Sequence, residues 1–292
     1  MEIEYRVGEH DGGLKLKDIL KNRLNLSTRL INKLKVNQCL RINGSPKRTI
    51  DTVQPGDIVT VHLLEDDEIY TDAEAIPIEI LYEDDWYLAV NKPAGIPVHP
   101  SAGHTSGTLA NAIQWHYRSL GLSTKTRPVN RLDRDTSGVT LFAKHSHAQD
   151  QLIRQMKAGM VHKEYLGIVS GCLSPESGTI DLPIARKPGS IMERIIDPLG
   201  DRSITHYETL RVKNGFSLVR FILETGRTHQ IRIHTRAMGH PLLGDWLYGD
   251  NDTTLIGRQA LHSHKLRFTH PASQETITIE APLPSDIAHL VD

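Results

Sequence analysis

Ten carboxylates and no lysine or arginine occupy the 21 residues from Glu65 to Asp85, and this run constrains the fold more than any other feature of the chain. So dense a charge of one sign repels itself and resists burial, so the segment reads as a solvent-facing connector between two folding units. Its flanks carry the opposite balance. Residues 6–48 hold 11 basic and 3 acidic side chains, or +8, and residues 86–292 hold 23 basic and 18 acidic ones, or +5. The formal net charge of −1, which alone argues against a polyanionic partner, is a cancellation between a basic head, an acidic connector and a moderately basic body. The expected boundaries are 1–64 for the head, 65–85 for the connector with an entry strand, and 86–292 for the body. With 292 residues, 38% of them hydrophobic, the chain can bury two cores.

The head shows helical spacing. Leu16, Ile19, Leu20 and Leu24 recur at i, i+3, i+4 and i+8, while Lys15, Lys17, Lys21 and Arg23 fall on other positions. Ser27 stands where an N-cap belongs, before a second helix with Leu30, Ile31 and Leu34 among Arg29, Lys33 and Lys35. Asn43-Gly44 signals a hairpin turn, and Pro55-Gly56-Asp57 leads into an alternating strand over 58–63. In the body, strands are expected at 76–80, 86–91, 139–143, 164–170, 204–211, 216–224 and in a 265–270/275–281 hairpin. Helices are expected at 106–119, at 146–159 capped by Ser146, and at 228–238 capped by Thr228 and stopped by Gly239. Strands outnumber helices without a βαβ repeat, which points to an α+β body with a mixed, mostly antiparallel sheet.

Two segments concentrate chemistry. Arg131-Leu-Asp133-Arg-Asp135 places an aspartate between arginines in a loop ending at Gly138, where cations favour an ionised carboxylate fit to act as nucleophile or base. The same spacing fits a surface salt-bridge cluster. Glu224-Thr-Gly226-Arg227-Thr-His229-Gln-Ile-Arg232 gathers cations at a helix start, a place that welcomes phosphate or carboxylate, and is equally compatible with a decorated cap. The 16 histidines include no H-E-x-x-H, and the two cysteines, Cys39 and Cys172, form no C-x-x-C, so neither a metal nor a disulfide framework is expected. No nucleotide-binding glycine loop and no G-x-S-x-G occurs. The absence of a leader-like start and of a long apolar run leads to the expectation of a cytoplasmic protein with no membrane partner.

The head, with Ser27-Thr-Arg29-Leu-Ile31, Arg41-Ile-Asn43-Gly and Val53-Gln-Pro-Gly-Asp57, resembles the S4 RNA-binding module. In the body, Asn91-Lys-Pro-Ala-Gly95-Ile-Pro-Val-His99-Pro-Ser101, Arg131-Leu-Asp133-Arg-Asp-Thr-Ser-Gly138, Thr225-Gly-Arg227-Thr-His-Gln-Ile-Arg232-Ile-His234 and His240-Pro-Leu-Leu-Gly-Asp245 resemble the successive motifs of RluA-type pseudouridine synthases. Many members have His where Asn130 stands here. The resemblance implies an isomerase that breaks the N1–C1′ bond of uridine in RNA and joins C5 to C1′, with no cofactor and no metal. It implies Asp133 as the essential aspartate, Tyr165 as the residue that stacks on the base, and Arg227 as the cation paired with Asp133. Arg131 would fill the place of the flipped nucleotide. Asn130, Lys92, His99, His229 and Arg232 would contact RNA or support the site, and Lys15, Lys21, Arg29 and Lys33 would grip phosphates at a distance. The expected substrate is structured RNA, foremost large-subunit ribosomal RNA, with transfer RNA as the alternative, and the expected state is a monomer. A non-catalytic RNA-binding protein and a two-carboxylate glycosidase are the competing readings.

Overall fold

A computed structural model describes residues 2–63, 69, 71–101, 105–250 and 253–291. The head begins with β1 (Glu2–Arg6), a strand whose inward residues Ile3 and Tyr5 are too few to announce it in the sequence. Helices α1 (Leu16–Asn22) and α2 (Thr28–Val36) follow. Leu16, Ile19, Leu20, Ile31 and Leu34 bury their shared side, and Ser27 Oγ accepts from Leu30 N at 3.2 Å as the N-cap. The hairpin β2 (Leu40–Ile42) and β3 (Ser45–Pro46) turns at Asn43 and Gly44, both with positive φ, the backbone that an Asn-Gly turn supplies. With β4 (Ile58–His62) these strands form an antiparallel sheet in the order β1-β4-β2-β3. The head lies against the body, where Gln151 Nε2 donates to Asn25 O at 2.9 Å.

The body contains β5 (Glu79–Glu83), β6 (Tyr87–Lys92), α3 (Leu109–Ser119), β7 (Arg127–Pro128), β8 (Ser137–Ala143), α4 (Ser146–Lys157), β9 (His162–Ser170) and β10 (Ser177–Asp181). Then come β11 (Ile184–Arg186), β12 (Arg194–Ile196), β13 (Ile204–Lys213), β14 (Phe216–Leu223), α5 (Gln230–Ala237), β15 (Leu261–Thr269), β16 (Thr276–Glu280) and α6 (Ser285–Ala288). One large sheet runs β10-β13-β14-β9-β15-β8-β6-β5, with β16 on β15 and β7 on β8. All its pairings are antiparallel except β8 with β15, so the mixed, mostly antiparallel α+β architecture is as expected. Helices cover both faces. Phe142, Leu88 and Val90 pack towards α3 and α5, while Val139, Leu141 and Ala143 pack towards α4, which explains why β8 is apolar without alternation.

Three expectations shift. The entry strand is Glu79–Glu83, not 76–80, because residues before it turn onto α3: Glu74 N donates to Asn111 O, and Asn111 Nδ2 to Asp72 O. The α4 cap is His145, whose Nδ1 accepts from Ala148 N at 3.1 Å, rather than Ser146. Helix α5 starts at Gln230 with His229, in a left-handed backbone, at its N-cap position in place of Thr228. The Gln230 side chain explains this, since its Oε1 accepts from both Thr225 Oγ1 and Arg227 N and ties the turn before the helix.

The acidic connector is also less solvated than expected. Glu65 to Glu68 lie outside the described residues, but Glu74, Glu79, Glu83 and Asp84 find partners in the body. Glu74 accepts from Gly107 N, Glu79 from Asn91 Nδ2, and Asp84 from the amides of Trp86 and Tyr87. Burial opposes the charge of Glu83, yet Lys144 at 2.8 Å and His116 at 3.0 Å hold its carboxyl below the ordinary range.

The parallel β8–β15 pair depends on Gly138. Its φ is +111°, and a Cβ there would lie 2.2 Å from Ser263 O. Replacing Gly138 with Ala combines backbone strain with a backbone clash and is expected to destabilise the protein by about 2–5 kcal/mol. Urea unfolding measures this; an unchanged midpoint would contradict the close approach.

Candidate active site

Asp133 lies in the loop between β7 and β8, and two anchors fix that loop from below. Thr136 N donates to Asp133 O at 3.1 Å, closing a tight turn. Lys92, at the end of β6, is fully buried and donates to Pro93 O, Ile96 O and Arg134 O at 2.7–2.8 Å. Its three bonds stitch the first-motif loop to the aspartate loop, and the Gly95 amide adds a fourth link to Arg134 O. Burial pushes the Lys92 amine down to about 7, with Asp135 and Asp133 pulling the other way. An RNA contact was expected of Lys92; with no exposed surface it is a brace instead.

The side-chain partner of Asp133 comes from α5. Arg232 Nη1 donates to Asp133 Oδ2 at 3.0 Å, and its Nε and Nη2 form a bidentate pair with Asp245 at 2.7 Å. Arg232 is 4% exposed and Asp245 not at all. Burial works against the guanidinium's charge, but Asp245 and then Asp133 outweigh it and raise its pKa. Tyr248 lies over the Arg232 guanidinium, 5.1 Å from its ring centroid, and its hydroxyl meets His229 Nδ1 at 2.9 Å and accepts from Arg194 N. His229 Nε2 is 3.8 Å from Asp133; burial lowers its pKa, Asp133 opposing and Arg232 reinforcing the shift.

This arrangement corrects several expected roles. Arg232, not Arg227, pairs with Asp133: Arg227 lies before α5 and turns outward to Asp201 at 3.5 Å and to Arg202 O, while Arg232 on the helix faces Asp133. Arg232 is consequently too buried to meet RNA phosphates. Asn130 is likewise engaged inside the protein: its amide donates to Val139 O and accepts from Leu141 N, pinning the aspartate loop to β8. His229 is largely enclosed. His99 is exposed at the end of the first-motif loop, and Lys15, Lys21, Arg29 and Lys33 are exposed on the head. Asp245 and Tyr248 were assigned no role from sequence. The detectable signal was the acidic residue in Gly244-Asp-Trp-Leu-Tyr248, where Asp245 Oδ1 also takes the amides of Leu247 and Tyr248.

Above Asp133 opens a cleft of about 390 Å³ lined by Asn130, Arg131, Asp133, Lys163, Tyr165 and Arg227, with Met156, Leu223 and Thr228 among its walls. That volume is within the range of small-ligand sites, about 300–1,000 Å³. Tyr165 presents a mostly buried ring, and burial pushes its hydroxyl up to about 12, with Ser263 opposing and Asp133 adding to the shift. The Arg131 guanidinium is exposed and has no hydrogen-bond or ion-pair partner among the described residues. Among those residues, no group of three His, Cys, Asp or Glu side chains is placed to hold a metal, and no helix is long and apolar enough to cross a membrane.

The buried Lys92 amine has a thermodynamic consequence. Burial pulls the Lys92 pKa down towards about 7, which would make stability rise with pH above that point by up to roughly 1.4 kcal/mol per pH unit, whereas its three carbonyl acceptors, which only the ammonium can satisfy together, hold the proton. The amine is therefore expected to stay charged, so that denaturant unfolding of wild type and Lys92→Met keeps the same pH dependence between pH 7 and 10. Diverging curves would show that burial releases the proton.

Residues 86–237 match the family model described as RNA pseudouridylate synthase. The RNA pseudouridine synthase YjbO of Bacillus subtilis, itself uncharacterised, is 42% identical over 270 residues, covering 92% of this chain and 95% of that protein. Ribosomal large subunit pseudouridine synthase D of Xanthomonas campestris is 38% identical over 263 residues, covering 86% and 79%. Among solved structures, human RNA pseudouridylate synthase domain containing 1 superposes with a TM-score of 0.60 at 26% identity, covering 72% of this chain and 85% of that one. The chain belongs to the RNA pseudouridine synthase family, isomerases acting on uridine in RNA.

Proposed function

We propose that this enzyme isomerises specific uridines of large-subunit ribosomal RNA at the cleft above Asp133, with Asp133 as the essential residue. The observation that carries the reading is a single carboxylate, oriented by a buried arginine, at the base of a nucleoside-sized cleft beside an aromatic ring. Reaction requires the uridine to leave the stack, which costs a few kcal/mol. The unpartnered Arg131 guanidinium offsets part of that cost by stacking in the vacated place and bonding phosphate. In the cleft, Tyr165 stacks on the base, and Asp133 acts on the ribose, as nucleophile at C1′ or as base for the 2′ proton. No step calls for a cofactor. The ribosomal substrate is supported by relatives named for the large ribosomal subunit; a transfer RNA target is the alternative outcome of mapping. We further take the protein to act in the cytoplasm as a monomer, its S4-like head docking on RNA away from the cleft.

Asp133→Asn is expected to abolish modification while leaving the fold intact. Carbodiimide mapping of RNA from a deletion strain carrying the variant should lack the pseudouridines that the wild-type gene restores. Persistence at the normal rate would refute the assignment, and release of free uracil would indicate a glycosidase. For the head, neutralising Lys15, Lys21 and Arg29 to Gln should weaken RNA binding and flatten the log–log salt slope by about 0.7–0.9 for each phosphate that is no longer neutralised. An unchanged slope would mean that these charges only solvate the surface.

A further inference from the structure

Lys163 precedes Tyr165 by two residues on β9, so the two side chains project on the same side of the strand, and both line the cleft. The other cations at the cleft lie differently: Arg131 and Arg227 are exposed, and Arg227 is paired with Asp201. Lys163 is partly buried, and its ammonium has no hydrogen-bond or ion-pair partner among the described residues. It does not pair with Asp133. Burial lowers its pKa with no carboxylate acting in opposition. Nζ lies beside Gly226 in the cleft wall, where a Cβ built on that glycine would be 3.5 Å away, in ordinary contact. An enclosed cation facing an open cleft, without a counter-charge of its own, is arranged for negative charge that appears only during reaction.

We propose that Lys163 is a catalytic residue that stabilises the departing uracil. This rests on the functional reading above. When the N1–C1′ bond breaks, its electron pair leaves on N1 and delocalises onto the O2 and O4 carbonyl oxygens. The electron deficiency at C1′ is met by a bond from the Asp133 carboxylate or by loss of the 2′ proton to it. Lys163 donates a hydrogen bond to a carbonyl oxygen of the uracil anion and transfers no proton. The anion is thus held in the cleft while it turns, until C5 bonds to C1′ as the Asp133–C1′ bond breaks or as Asp133 returns the proton to C2′; C5 then loses its proton and N1 gains one, so that the overall change is isomerisation. The partly buried position of Nζ beside the base-stacking tyrosine favours the base over a backbone phosphate, which would sit at the exposed rim.

The test uses the intact enzyme and an RNA fragment carrying the mapped target uridine, in single turnover with enzyme in excess. Lys163→Met should slow the bound step by about 10²–10³, the scale of removing one donor to a developing anion, with RNA affinity changed by less than about twofold. Lys163→Arg, which keeps the charge, should recover most of the rate. With 5-fluorouridine at the target position, whose base anion is more stable, the deficit of Lys163→Met in consuming the nucleotide should shrink. The proposal is overturned if Lys163→Met weakens RNA binding with an unchanged bound step, as for a phosphate-binding lysine. It is also overturned if Lys163→Arg is as slow as Lys163→Met, or if the deficit is the same for both target nucleotides. A wild-type enzyme that forms no pseudouridine would instead refute the functional reading and this proposal with it.

Discussion

The buried guanidinium of Arg232 is the interaction on which the site depends. Enclosing a cation is costly, and the bidentate Asp245 pair together with the Tyr248 ring compensates it before Asp133 is engaged. Asp133 therefore meets a donor whose position is already fixed by α5 and by the 245–249 turn. A carboxylate on a loop between strands would otherwise sample many orientations. Arg232 on one side and the Lys92 brace behind the loop leave it one.

Much of the fold was legible because β8 and α1 to α5 carry strong local signals. The Asn43-Gly44 turn and the Ser27 cap are local chemistry, and both formed as expected. Elements whose reason lies elsewhere in the chain were not legible. Strand β1 exists because β4 offers it an edge, and β5 starts late because Asn111 draws the preceding residues onto α3. Within the site, the family resemblance named Asp133, Tyr165 and Arg227, and all three line one cleft. It gave Arg227 as the partner of Asp133, whereas Arg227 lies before α5 and turns to Asp201, and Arg232, within the helix, reaches Asp133, a tertiary pairing that the motif alone does not encode. Lys92 was misjudged for a related reason: a lysine in a polar motif looks exposed until its three carbonyl partners are known.

The charge pattern changes meaning in the same way. Read along the chain, the acidic run is an uncompensated block. In space, its described carboxylates cap the Asp84 turn, bind Lys144 and His116, and tie to the start of α3. The run separates head from body in sequence while several of its members hold the body's edge together.

The parallel pairing of β8 with β15 also bears on the order in which the enzyme becomes active. Gly138 and Ser263 meet across the sheet, and Ser137 Oγ meets His262 Nδ1, a sequence separation of 125. The aspartate loop feeds directly into β8, so its support is incomplete until the final strands have been synthesised and inserted. During translation the basic head can fold long before the carboxylate is set.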